Sequence, residues 1–319
     1  MAQAPVTIVC TGTYWRNAWK YQARTYRHFG WDHGTLLANM LAVSAASGLS
    51  AEIVLGFVDV EVNSLLDLDA RREVSWCLVP IGRAASSSPP APREAAALGL
   101  ETIALSKREL EYPAMLEMHD ASSLEAGEEV AQWRRKQLIV SAPAPEGDAV
   151  PLQQLAKQDQ PRDTIEQVIL RRGSSRRFDK TASITLAELS TILDCATRGV
   201  PADFLEPAGS QLNDVYLVVH AVQGLKPGAY FFRREQNTLE LSKEGEIPRR
   251  GLPSWLGAAT ARGRVRVCLL SRRSKQHPGA IRESRLPRGP AGGGCDRRQN
   301  VSSRVRPAPG CDWADIFRR

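Results

Sequence analysis

Arg171-Arg172-Gly173-Ser174-Ser175-Arg176-Arg177-Phe178 puts four guanidinium groups, two hydroxyls and a glycine into one short loop. Arginine forks bind phosphate in bidentate fashion, and serine hydroxyls with loop N–H groups complete an anion cradle. The flanking text is helical. Upstream, Asp163 and Glu166 read as a capping-box-like start for a helix carrying Ile165, Val168 and Ile169, which Gly173 ends. Downstream, Thr185 and Glu188 form a capping box and Ile184 and Leu189 take hydrophobic-staple positions. Leu186, Leu189, Ile192, Leu193 and Ala196 then share one face until Gly199. Further on, Val215–Val222 reads as a central strand, and Gly228–Arg233 with Thr238–Leu241 as a hairpin turning at Glu235–Asn237.

Towards the N-terminus the order is helix, strand, helix, strand. Asp32 is placed to cap a helix whose Leu36, Leu37, Met40, Leu41 and Ala45 align, ending at Gly48. Ile53–Val58 reads as a buried strand interrupted at Gly56, a position whose backbone another group must approach closely. Asp59 starts a short helix with Val62, Leu65 and Leu66, and Val74–Val79 is a strand closed by Pro80 and Gly82. Residues 84–160 begin with AASSSPPAP and end with SAPAPEGDAVP, compositions that bury little apolar surface, so the stretch reads as a linker with one surface helix over Ser122–Gln137.

The chain has 319 residues, 43% hydrophobic and 24% charged, which is a globular composition and excludes wholesale disorder. No apolar run reaches 18 residues and the start carries no basic n-region, so a cytoplasmic protein is expected, without a membrane span or secretion signal. The six cysteines form no CxxC pair and the five histidines do not fall beside them at ligand spacing, so no metal and no disulfide framework is expected. Net charge is +7, but residues 251–319 hold 15 of the 42 Lys+Arg and only 4 of the 35 Asp+Glu, so residues 1–250 are mildly acidic. A nucleic-acid-binding reading would rest on that tail, whose aromatics after residue 260 are Trp313 and Phe317 and which carries no recognisable motif.

The loop, the capped helix and the following Pro207-Ala208-Gly209-Ser210-Gln211 together resemble the nitroreductase superfamily, in particular tandem SagB-type dehydrogenases, which open on a motif close to RRSxRxF and continue to a PSxG-like loop. Gly173 and Ala208 depart from that pattern. WKYQARTYRHFGWDHGTLLANMLAVSAASGL is similar to the same family's KYxxRxYRxxxxDxGHxxQN helix, and Ala51–Phe57 to its strand ending in Gly-Phe. The resemblance implies an α+β, nitroreductase-like, FMN-dependent fold, incomplete here, with helices packed on a mixed central sheet. It implies that Arg172, Ser174 and Arg176 hold the FMN phosphate and that Pro207, Gly209 and Gly56 lie near the ring. It also implies that Lys20 and Tyr21 are the catalytic pair that removes a proton from an azoline ring while hydride leaves to the flavin, a step that needs a base.

The order of these pieces implies four regions. Residues 1–83 read as the C-terminal half of a first nitroreductase-like domain, 84–160 as the linker, and 161–250 as the N-terminal half of a second domain. Residues 251–319 read as an out-of-frame, disordered tail: with each codon read from its second base, the tail permits VFFLAD from Cys268, AGYRAAQLEAG from Ser284 and ATGLTFFD from Cys311, in the order the family continues. The expected function is an FMN-dependent oxidoreductase acting on azoline rings in a modified peptide, with an inactive remnant of such an enzyme as the alternative. The expected partners are a peptide or small-molecule substrate, no nucleic acid, no membrane, and a pseudo-dimer or homodimer arrangement.

Overall fold

The computed structural model describes residues 4–82, 98–101, 103–135, 147–173, 182–205 and 214–245, together with the backbone of 267–272. The chain is α+β and divides into two compact units; within the described residues the first takes 4–135 and 200–205, and the second takes the remainder.

In the first unit β1 (Val6–Thr13) leads into α1 (Trp15–Tyr21) and the long α2 (Thr25–Ala46), followed by β2 (Ser50–Ala51), α3 (Asp59–Leu65) and β3 (Glu73–Gly82). The strands form a three-stranded antiparallel sheet in the order β1-β3-β2. Cys10 faces Cys77 but Thr11 faces Ser75, so Trp76 is the extra residue of a β-bulge. The bulge is satisfied locally, because the Ser75 N–H donates to Asn63 Oδ1 of α3 at 2.8 Å. Trp76 meets three rings of α2: Tyr26 edge-on at 5.0 Å, Phe29 edge-on at 5.5 Å and His33 stacked at 5.6 Å between centroids. Such aromatic pairs add about 0.5–1.5 kcal/mol each beyond area burial, so they fix α2 against the sheet. The helix begins at Thr25, a full turn and more before the expected Asp32 start; Asp32 lies mid-helix and accepts from Asn17 Nδ2 at 3.0 Å. Where a strand over Ile53–Val58 was expected, Ile53 and Val54 form only single bridges, to Ala202 and Leu78 respectively.

The stretch expected to be a linker contains α4 (Pro113–Ser122) and α5 (Gly127–Arg135), and Met115, Val130 and Trp133 of these helices are buried together with Leu124 between them. Four anchors hold it on the first unit. Tyr26 Oη and Ser122 Oγ are 2.6 Å apart; Asp59 N–H donates to Leu124 O at 2.9 Å while Leu124 N–H returns a bond to Asp59 Oδ2 at 2.8 Å; and Arg134 Nη2 donates to Gly56 O at 2.7 Å. Low-complexity ends misled the reading of the middle, where Met115, Leu124, Val130 and Trp133 supply enough apolar area to dock.

The second unit consists of β4 (Ala149–Pro151), α6 (Ile165–Arg171), β5 (Ile184–Thr185), α7 (Leu186–Thr197), β6 (Asp214–Val219), β7 (Val222–Gln223), β8 (Gly228–Arg233), β9 (Thr238–Glu244) and β10 (Val267–Arg272). Its five-stranded antiparallel sheet runs β10-β6-β8-β9-β4, and β5 pairs with β7 in parallel. Thr185 Oγ1 accepts from the Glu188 N–H at 3.1 Å and Glu188 accepts from the Thr185 N–H at 2.7 Å, the capping box expected there. α7 lays Leu189 and Leu193 on Leu217, Val219, Tyr230, Phe232 and Leu239 of the sheet. The hairpin turns through Asn237 at φ 51°, a left-handed position asparagine tolerates better than most side chains. Within it Arg233 and Glu240 form a buried ion pair. α6 is capped one residue later than expected, by Thr164 with Gln167. β4 lies inside the expected linker and β10 inside the expected disordered tail, so both regions contribute a sheet strand; the rest of 251–319 lies outside the described residues.

Candidate functional site

Between α1 and α2 the backbone turns through Gln22 at φ 53°, a region L-residues rarely adopt, followed by a single 3-10 turn over Gln22–Arg24. The sharp turn brings Tyr21, at the end of α1, onto His28 in the first turn of α2, with ring centroids 3.9 Å apart and 26° between planes. Lys20 Nζ lies 5.0 Å from the centroid of the Tyr21 ring. Trp31 closes the group, edge-on to His28 at 4.6 Å and covered by the Arg27 guanidinium at 5.4 Å. Lys20 is exposed and Tyr21 half-buried.

Burial, and next the neighbouring Arg24, hold the His28 imidazole below its ordinary value of 6.5; Asp32 opposes them, and Arg27 and Lys20 add to the lowering. A neutral ring at neutral pH follows. Its Nε2 is buried with no hydrogen-bond partner among the described residues. The expected catalytic pair Lys20–Tyr21 is thus one edge of a Lys20–Tyr21–His28 stack, and His28 is the member sequence reading missed. Its signal was present as spacing: Tyr21 and His28 are seven residues apart, two helical turns, but the break at Gln22 rather than a continuous helix makes them meet.

Gly56 has different neighbours from those expected. Leu55 N–H and Gly56 N–H donate to the two carboxylate oxygens of Asp203 at 2.9 and 3.0 Å, and Arg134 binds both Asp203 and the Gly56 carbonyl. A Cβ at residue 56 would stand 2.7 Å from Trp133 Cζ3 and 2.9 Å from Cε3. The close approach that requires glycine is therefore made by Trp133 of α5. The Gly56 N–H, its carbonyl and the side on which a Cβ would stand are thus all engaged within the first unit.

In the second unit Arg172 caps the C-terminus of α6, its N–H bonded to Val168 O at 2.9 Å, and its side chain is exposed. Arg171 instead pairs with Asp163 at 2.9 Å. No carboxylate among the described residues pairs with the Arg172 guanidinium. The carbonyl end of a helix repels an anion, so any phosphate there depends on arginine charge. Ser174, Arg176, Pro207 and Gly209 lie outside the described residues. Among the described residues no group of three His, Cys, Asp or Glu is placed to hold a metal ion, and no helix is long and apolar enough to cross a membrane.

Comparison with known proteins agrees with this architecture. Residues 1–83, which include Lys20, Tyr21, His28 and Gly56, match the model of the Nitroreductase family. A crystal structure described as a "putative nitroreductase" from Anabaena variabilis superposes with a TM-score of 0.52 at 18% sequence identity, covering 78% of this chain and 50% of that one. The chain thus spans about half the length of that structure. No curated protein sequence matches. The fold is nitroreductase-like, and the match to the family itself lies in residues 1–83.

Proposed function

We propose that the chain is an oxidoreductase of the nitroreductase type that binds FMN, with Arg172, Ser174 and Arg176 on the phosphate and Pro207 and Gly209 beside the ring. The observation that carries this reading is the family match over residues 1–83, which contain the Lys20–Tyr21–His28 stack. FMN, when bound, supplies hydride acceptance. The chain's own residues orient a substrate and handle its proton at the Lys20–Tyr21 edge, where the Lys20 ammonium stabilises negative charge developing near the phenol and the neutral His28 ring, its Nε2 enclosed, backs Tyr21. At the finer level the reading is SagB-type, with an azoline ring of a modified peptide as the group oxidised.

Titration of the full chain with FMN, followed by quenching of flavin fluorescence, tests the assignment. Saturable quenching is expected, and an Arg172→Ala/Arg176→Ala double variant is expected to lose it; equal affinity in that variant removes these residues from the site. The inactive-remnant reading is favoured by one observation, the Trp133 ring on Gly56. It predicts no FMN uptake in the parent chain or in Trp133→Ala. The out-of-frame reading of the tail rests on its composition and codon pattern, and sequencing the gene across codons 245–260 tests it.

A further inference from the structure

Cys10 and Cys77 are directly opposed on β1 and β3. Opposed residues of an antiparallel pair have Cα atoms about 4.5 or 5.5 Å apart and side chains on the same face. Both spacings fall inside the range of about 4.4–6.8 Å that a disulfide spans. The two thiols are in hydrogen-bonding contact, and neither is in a disulfide. They are also enclosed, at 7% and 0% exposure, in an apolar cluster with Leu37, Ile53 and Val79.

We propose that Cys10 and Cys77 are a reversible dithiol–disulfide pair, oxidised by a hydroperoxide. The proposal rests on strand register and burial alone and is independent of any flavin function. Access follows from the fold. β1 is the edge strand of its sheet, and the bulge at Trp76 breaks the ladder beside Cys10, so opening of the edge admits a small neutral oxidant while excluding protein thiols. Cys10, on the edge strand beside the bulge and 7% exposed against 0% for Cys77, is the sulfur an oxidant reaches first, and the hydrogen bond from Cys77 lowers its thiol against the raising effect of burial.

The chemistry balances within the pair and its oxidant. Cys10 sulfur attacks one oxygen of the hydroperoxide, the O–O bond breaks, and the departing alkoxide leaves as an alcohol with the thiol proton. The sulfenic acid left on Cys10 is then attacked by Cys77 sulfur; the S–O bond breaks, water departs with the Cys77 proton, and the S–S bond forms. Two thiols lose two electrons and one peroxide gains them. A dithiol reductant reverses the change.

The test treats the full folded chain with hydrogen peroxide, blocks remaining thiols with iodoacetamide under denaturing conditions, and analyses tryptic peptides by mass spectrometry. Cleavage after Arg16, Arg72 and Arg83 places Cys10 in peptide 1–16 and Cys77 in peptide 73–83. The expected product is these two peptides joined and lighter by two hydrogens, absent without peroxide and lost after dithiothreitol. In Cys77→Ala, whose small apolar side chain suits the site, dimedone is expected to trap a sulfenic acid on Cys10. Recovery of both cysteines fully alkylated, or of Cys10 as sulfinic acid with no joined peptide, overturns the proposal. Exposed Cys195 serves as internal control that the oxidant was active.

Discussion

Gly56→Ala separates two reasons for a glycine. The added methyl would lie 2.7 and 2.9 Å from two Trp133 ring carbons and 3.0 Å from Arg134 Nε, distances at which neighbours must move. The φ of Gly56 is not among the positive values, so backbone strain does not enter. Overpacking of this kind costs about 1–3 kcal/mol, and truncation of a buried tryptophan costs about 3–5 kcal/mol. If glycine is required only to seat Trp133, the two changes are strongly coupled: Gly56→Ala costs about 1–3 kcal/mol in the parent chain and under about 0.5 kcal/mol in a Trp133→Ala background, where the clash partner is gone. Urea unfolding followed by far-ultraviolet circular dichroism on the four chains of the cycle measures this coupling without depending on tryptophan fluorescence. A cost in the parent chain below about 0.5 kcal/mol, or the same cost in both backgrounds, would refute the Trp133 explanation of this glycine.

Asp203→Ala removes the acceptor of two backbone N–H groups, at about 1–3 kcal/mol for each donor left unsatisfied, so a loss of about 2–6 kcal/mol in urea unfolding is expected; Arg134→Ala should cost only about 1 kcal/mol, because that side chain is 41% exposed and its ion pair is screened. His28 is held neutral in the fold, so the unfolded chain takes up a proton first as pH falls through 6.5; stability is therefore full above 6.5 and declines below it until the folded ring also protonates. Thermal midpoints measured between pH 8 and 5 should fall less steeply in His28→Gln, and an unchanged slope would exclude His28 as the source. Thr185→Ala should cost about 1 kcal/mol through loss of the α7 N-cap, measured by thermal unfolding.

The second half of the chain was the more legible in its local structure. The α7 capping box and the β8–β9 hairpin are each encoded by residues close together in sequence, and both form where expected, because each local preference agrees with the packing of Leu189, Leu193, Phe232 and Leu239. β1 was not recognised as a strand, although Val6–Thr13 is rich in β-branched residues; its pairing partner lies more than sixty residues away and gives no local sign. α2 was started seven residues late because Asp32 offered a capping side chain, whereas the actual entry at Thr25 has no side-chain cap and is held by Tyr26 and Phe29 against Trp76. Tertiary aromatic contacts outweighed a cap worth about 1 kcal/mol.

At the candidate site the same distinction between local and distant causes decides what was missed. A glycine in an apolar run announces that something comes close, but not what comes close. The sequence resemblance supplied a flavin; the structure supplies Trp133, from a stretch whose ends carry so many prolines, serines and alanines that its buried residues were overlooked. Asp203 reinforces the point, since it lies 147 residues from Gly56 and joins it through two backbone donors that no spacing rule connects. Lys20 and Tyr21 were found because they are adjacent in a recognisable motif, while His28 joins them only through the backbone turn at Gln22. A buried aromatic and a buried carboxylate therefore account for Gly56 structurally, and the FMN titration tests the proposed flavin site without reference to this glycine.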